Sequence, residues 1–197
     1  MEKTSELKSL STLCRDISLS RFKNHSFVES LSIRPSRFDI QNSNIGQWLS
    51  LIFVSSHVLK INFKTKYHVD NIKHFASKAM NEKIEKVTKA HIDDFSKEFC
   101  NLAGGGIKLQ LEKSGNVSLI SLPLLTRWED NVFFEPNLKI EDNILFYQDS
   151  WEIFLDSDEE RFVQCHISVE IYDKEKALNM VRNAFDVEED EGDVEFL

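Results

Sequence analysis

Glu98 and Asn101 stand three residues apart in the segment Asp94-Phe-Ser-Lys-Glu98-Phe-Cys-Asn101-Leu-Ala-Gly104-Gly-Gly-Ile-Lys108. On a helix that spacing sets a carboxylate beside a carboxamide on one face. A carboxylate grips a cation, and a carboxamide accepts from and donates to a water. Neither group is a strong nucleophile. Together they suit a reaction in which a partner's positive group is held and a water is aimed.

A helical wheel at about 100° per residue separates two sides of this segment. Ile92, Phe95, Phe99, Leu102 and Ala103 fall together as an apolar stripe. Asp94, Glu98, Asn101, Gly105, Lys108 and Glu112 fall on the opposite side, which therefore faces solvent. Gly105 has no side chain to keep a partner's backbone away. Gly106 turns toward the apolar stripe, where it permits close packing.

Three consecutive glycines in a helix interior would cost about 3 kcal/mol relative to alanine. Either the helix ends at them, as helices often do at glycine, or the cost has a reason. The polar face resumes in register at Lys108 and Glu112, which predicts one helix over 91–113.

The elements around it follow from periodicity. Leu7, Leu10, Leu13 and Ile17 predict a helix over 3–17. Residues 18–43, rich in Ser, Asn and Arg and holding Pro35, read as a connector. Trp48 to Val54 and Val58 to Phe63 read as a hairpin around Ser55-Ser56-His57. Asp70 is placed to cap a helix bearing Ile72, Phe75, Ala76 and Ala79. Residues 81–90, rich in Lys and Glu, read as a solvated loop.

Strands are expected at Val117–Leu122, Arg127–Phe134, Ile144–Phe146, Trp151–Leu155 and Phe162–Ile171. The last alternates, with Val163, Cys165, Ile167, Val169 and Ile171 on one side. Asp173 then caps a final helix with Ala177, Leu178, Val181 and Phe185. The expected fold class is α+β, an antiparallel sheet packed against two long helices.

Other chemistries find less support. The six histidines show no ligand spacing, and Gly104-Gly-Gly-Ile-Lys108 lacks the phosphate-loop pattern. Cys14, Cys100 and Cys165 are scattered and odd in number, which suggests neither a disulfide framework nor a zinc site. Cys100 flanks the apolar stripe and reads as a buried thiol. Ser121 has no His-Asp context. Trp48, Trp128 and Trp151 fall in expected strands, as core or interface residues.

The 197 residues are 41% hydrophobic and 29% charged, the composition of a folded soluble protein. No apolar run is long enough to cross a bilayer, and the N-terminus lacks a secretory h-region. The net charge of −9 argues against nucleic acid as a partner. Seven of the 33 acidic residues lie in 186–197, so the remaining 26 nearly balance the 24 Lys and Arg. That tail reads as a solubilising segment, or as a docking peptide ending in Val194, Phe196 and Leu197.

The order Asp94, Glu98, Asn101, Gly105, Lys108, a polar turn at 114–116, then Ser121-Leu-Pro123 resembles the CheC/CheX/FliY family of chemotaxis phosphatases. The single copy of Glu-x-x-Asn is most similar to the CheX type. The resemblance covers 44–170, and its specific motifs lie in 94–123. Ser55, Ser56 and His57 stand where the family has glycines.

The resemblance implies a cytoplasmic phosphatase that hydrolyses the aspartyl phosphate of a CheY-like receiver domain. Glu98 and Asn101 would be its catalytic pair, and Asp94, Gly105 and Lys108 its docking residues. It implies no cofactor on this chain and Mg2+ on the receiver. It also implies a homodimer through sheet edges, with no nucleic acid or membrane as partner. The domain of that type would span 44–172, flanked by a helix and connector at 1–43 and a helix and acidic tail at 173–197. The alternative is a binding module of the same fold that docks a receiver, or itself, without hydrolysis.

Overall fold

The computed structural model describes residues 3–36, 48–113, 115, 117–127 and 144–186. In chain order these form α1 (Lys3–Ser26), β1 (Leu31–Pro35), β2 (Trp48–Ser55), β3 (Leu59–Tyr67) and α2 (Val69–Ala79). A short 3-10 turn at Ile84–Lys86 leads into α3 (Lys89–Glu112). Then come β4 (Leu119–Ile120), β5 (Leu124–Arg127), β6 (Leu145–Leu155), β7 (Asp158–Ile171) and α4 (Lys174–Asp186).

The strands make one antiparallel sheet in the order β1-β6-β7-β3-β2-β4, with β5 also paired to β2. The alternation read from β7 holds in register. Ile167 pairs with Phe63 of β3 and Asp149 of β6, and Cys165 with Thr65 and Trp151. Val163, Cys165, Ile167 and Val169 are fully buried on the face that also carries Ile61, Phe63 and Trp151. The opposite face is polar in type yet also holds buried side chains, among them Lys66, Gln164 and His166.

The α+β architecture and the two long helices are as expected. The boundaries differ in instructive ways. The first helix runs nine residues past Ile17, to Ser26. Ser18 and Phe22 continue its buried side, because Ser18 Oγ accepts from Trp151 Nε1 at 3.0 Å and Phe22 enters the core. Part of the expected connector is therefore helix, and part is β1. Leu10, Cys14 and Phe22 of α1, and Ala177, Met180 and Val181 of α4, share one core with the strands.

The expected cap of α2 was Asp70. His68 takes that place, with its Nδ1 accepting from Asp70 N–H at 3.3 Å. Ile144–Phe146 and Trp151–Leu155 belong to one strand, while Val117–Leu122 keeps only a two-residue pairing with β2. Asp173 does cap the last helix, its Oδ1 accepting from Lys176 N–H at 3.1 Å. The hairpin needs no glycine. Ser56 Oγ accepts from the N–H groups of Val58 and Leu59 at 3.2 Å each and closes the turn itself. The strand expected over 128–134, Trp128 and the tail 187–197 lie outside the described residues.

Candidate functional site

α3 passes unbroken through the three glycines. Its start is fixed by Thr88, whose Oγ1 accepts from His91 N–H at 3.4 Å, while His91 Nδ1 accepts from Thr88 N–H at 3.3 Å. This reciprocal cap, together with tertiary packing, carries the helix across residues of poor intrinsic propensity.

The glycines are explained by different neighbours. A Cβ on Gly104 would stand 2.8 Å from Ile52 Cγ2, and one on Gly106 would stand 2.7 Å from Ile17 Cγ2. These two positions let β2 and α1 approach the helix from opposite flanks. A Cβ on Gly105 would meet nothing within 4 Å. No packing reason accounts for it.

Around Gly105 the polar face is as expected. Asp94, Glu98 and Asn101 are exposed. Among the described residues none of the three has a hydrogen-bond or ion-pair partner, so their side chains are available to another molecule. Phe95 and Phe99 are buried beneath them, edge-on to Phe22 of α1 at centroid distances of 5.9 and 4.7 Å. Leu102, expected in the core, is half-buried, because it lies at the border between the two faces.

Lys108 is half-buried too, and its charge is engaged. Its Nζ lies 2.7 Å from Glu112 Oε2. Glu112 Oε1 also accepts from Ser118 N–H at 3.1 Å, so this pair ties the end of α3 to the chain entering β4. The Lys108 hydrogen bond, ahead of the Ser118 one, holds the Glu112 carboxyl below its usual range.

Ser121 sits at the neighbouring sheet edge. Its Oγ accepts from Phe53 N–H at 3.0 Å and its N–H donates to Phe53 C=O at 2.9 Å. The hydroxyl completes the edge of β2, so its role is to hold the strand beside α3. Leu122 next to it is almost fully exposed.

Among the described residues the other candidate nucleophiles are buried. Cys14, Cys100 and Cys165 are buried and unpaired, and burial pushes each thiol well up, Cys14 to about 12. His166 accepts or donates a 2.9 Å hydrogen bond with Ser150 Oγ, but burial first and Lys64 second push its pKa down to about 3. Both side chains are buried, so the pair lies inside the fold. Among the described residues no three His, Cys, Asp or Glu side chains converge as a metal-binding group. No described helix is long and apolar enough to cross a membrane.

Sequence reasoning missed the residues that α1 adds beside the face. Arg21 Nε lies 3.3 Å from where a Gly106 Cβ would be. His25 Nε2 is 3.0 Å from Phe95 C=O, and its ring stacks on Phe95 at 4.2 Å. Burial lowers the His25 pKa, against the opposing pull of the Phe95 carbonyl and Glu98. Reading α1 as ending at Ile17 hid these neighbours. The signal that could have found them was Phe22, which lies four residues past Ser18 and eight past Cys14 on one side of the helix.

No protein-family model and no curated protein sequence matches this chain. Solved structures do match in fold. One is a chain of the CheX–CheY–BeF3–Mg2+ complex from Borrelia burgdorferi, with 16% identity and a TM-score of 0.58 over 80% of this chain and 96% of that one. A chemotactic CheC-like protein from Shewanella oneidensis MR-1 gives 14% identity and 0.58 over 82% and 96%. FliY from Thermotoga maritima gives 10% identity and 0.54 over 94% of both chains. The chain thus has the fold of CheX, CheC-like and FliY chemotaxis proteins.

Proposed function

We propose that this protein is a phosphatase for the aspartyl phosphate of a CheY-like receiver domain, working from the exposed face of α3. The observation that carries the reading is Gly105. A helix-interior glycine costs about 1 kcal/mol against alanine, and packing repays it at Gly104 and Gly106 but not here. A bare backbone one turn beyond two unpartnered polar side chains suits a face that another protein's backbone approaches.

The chemistry asked of this face is modest. An acyl phosphate is labile, and hydrolysis needs a water in line with the bond from phosphorus to the leaving carboxylate oxygen. The receiver supplies the divalent metal and lysine that balance phosphoryl charge. Asn101 accepts from and orients the attacking water with its carboxamide. Glu98 pairs with the receiver's lysine and fixes the register of docking. Positioning of this kind is worth several kcal/mol of the barrier when the reacting atoms are held in line. Asp94 and Gly105 complete the contact surface, and Lys108 keeps Glu112 and the end of α3 in place.

The fold likeness to a chain of a CheX–CheY complex supports the choice of partner. The homodimer that the resemblance implies would pair strands at a sheet edge. The test is phosphate release from a panel of phosphorylated receivers with and without the protein. The account expects faster decay of at least one receiver, and weaker binding as well as slower turnover in Glu98→Ala. Binding of a phosphorylated receiver with no change in its decay rate would assign the protein to a non-catalytic adaptor role instead.

A further inference from the structure

A groove of about 340 Å³ opens where the C-terminal ends of α1 and α2 meet the first half of α3. Its walls are Phe27, Met80 and Phe95, and Asp94 and Glu98 stand along it. Asp94 and Glu98 also belong to the polar face of α3, so the groove continues that face toward the start of the helix.

The two helices that end here finish alike. Val28 N–H donates to Lys23 C=O at 3.3 Å, and Glu82 N–H donates to Ser77 C=O at 3.0 Å. In each case the residue just before that donor is left-handed, Asn81 with φ 51° and Phe27 with φ 55°. Asparagine and glycine are the residues that fit this position. Asn81 obeys the rule and Phe27 breaks it. Phe27 is also 75% exposed. A strained backbone that holds an aromatic ring in water gains nothing for the fold.

The fixed charges among the groove's lining are the carboxylates of Asp94 and Glu98, with the imidazoles of His25 and His91 beside them. Asp94 and Glu98 lack ion-pair partners among the described residues, and the ends of α1 and α2 present the negative ends of their peptide dipoles. The start of α3 is already closed by the Thr88 cap. An apolar wall with an exposed aromatic ring beneath carboxylates fits a long aliphatic stem ending in a cation.

We propose that this groove takes a lysine or arginine side chain from the partner's surface, distinct from the lysine that Glu98 meets. Its stem lies on Phe27 and Met80, and its charged head meets Asp94. The inference rests on the reading of α3 as a docking face, and makes the groove the second anchor of that face. The chain's own tail is a poor occupant, since 186–197 carries seven acidic residues and no basic one.

The test begins without a receiver. The full chain is titrated with Nα-acetyl-arginine methylamide and its neutral citrulline analogue, and backbone amide shifts are followed by NMR. The arginine compound shifts Phe27, Met80 and Asp94, the citrulline compound shifts them several-fold less, and Asp94→Asn erases the preference. Phe27→Asn raises the melting temperature while weakening the arginine response. A purely structural Phe27 would not move the two readouts in opposite directions. Equal responses to the two compounds, shifts confined elsewhere, or capture of the groove by a peptide of 186–197 would overturn the proposal.

On a receiver that the wild-type protein dephosphorylates, Asp94→Asn raises KM, whereas loss of Asn101 lowers kcat. Failure to find any such receiver counts against the phosphatase reading, and the NMR titration still decides the groove.

Discussion

Gly104 and Gly106 differ from Gly105 in one respect only, the direction in which each faces. Toward β2 and toward α1, a methyl group would strike Ile52 or Ile17 within 2.8 Å. Toward solvent it would strike nothing. One residue type on one turn of helix thus answers two demands. The buried demand is visible in the fold itself. The exposed demand has to come from a second molecule. The comparison extends along α3, whose buried side is filled by Phe95, Phe99 and Ile107 and whose open side holds Asp94, Glu98 and Asn101 unpartnered.

The buried side is the easier to break. Phe22→Ala removes the ring that meets Phe75, Phe95 and Phe99 edge-on and is fully buried. Truncation of a core phenylalanine costs about 3–5 kcal/mol. Urea unfolding should show a loss in that range. A loss under about 1 kcal/mol would mean that α1 is not part of the core.

Gly106→Ala is smaller in effect. Overpacking against Ile17 costs about 1–3 kcal/mol, offset by a gain of about 1 kcal/mol in helix propensity. The expected outcome is a lower unfolding midpoint. An unchanged or higher midpoint would show that α1 yields freely and that packing does not require the glycine.

Gly105→Ala sharpens the comparison because its sign is reversed. The protein should gain up to about 1 kcal/mol, since the new methyl has open space. Affinity for a phosphorylated receiver should fall at the same time, measured by titration calorimetry. A more stable protein that binds equally well would leave Gly105 without a functional reason.

How much of this was legible in the sequence depends on what each residue answers to. The stripe Ile92, Phe95 and Phe99 and the alternation of Val163 to Ile171 were readable because burial repeats with the geometry of helix and strand. The polar face of α3 was readable for the same reason, as its complement. Continuity through the glycines followed from that register, although local propensity pointed the other way.

The end of α1 was readable only at Phe22. Ser18 and Arg21 interrupt the apolar pattern, and what holds them is Trp151 and the gap at Gly106, both distant in sequence. His68 as the cap of α2 was hidden because Asp70 is the better capping residue by type. The groove at Phe27 was invisible, since it needs three helix ends that only the fold brings together. Leu102 was misplaced because a wheel assigns sides, while neighbours decide burial at their border.

The central claim is that Asn101 aims the attacking water. The direct measurement is dephosphorylation of a cognate receiver by wild-type protein and by Asn101→Ala, at saturating and subsaturating receiver. The account predicts that the variant folds to within about 0.5 kcal/mol of wild type, as exposed substitutions do. It also predicts that the variant binds the phosphorylated receiver with nearly unchanged affinity and loses its acceleration of phosphate release, because the contact matters in the transition state. Full activity in Asn101→Ala would contradict it.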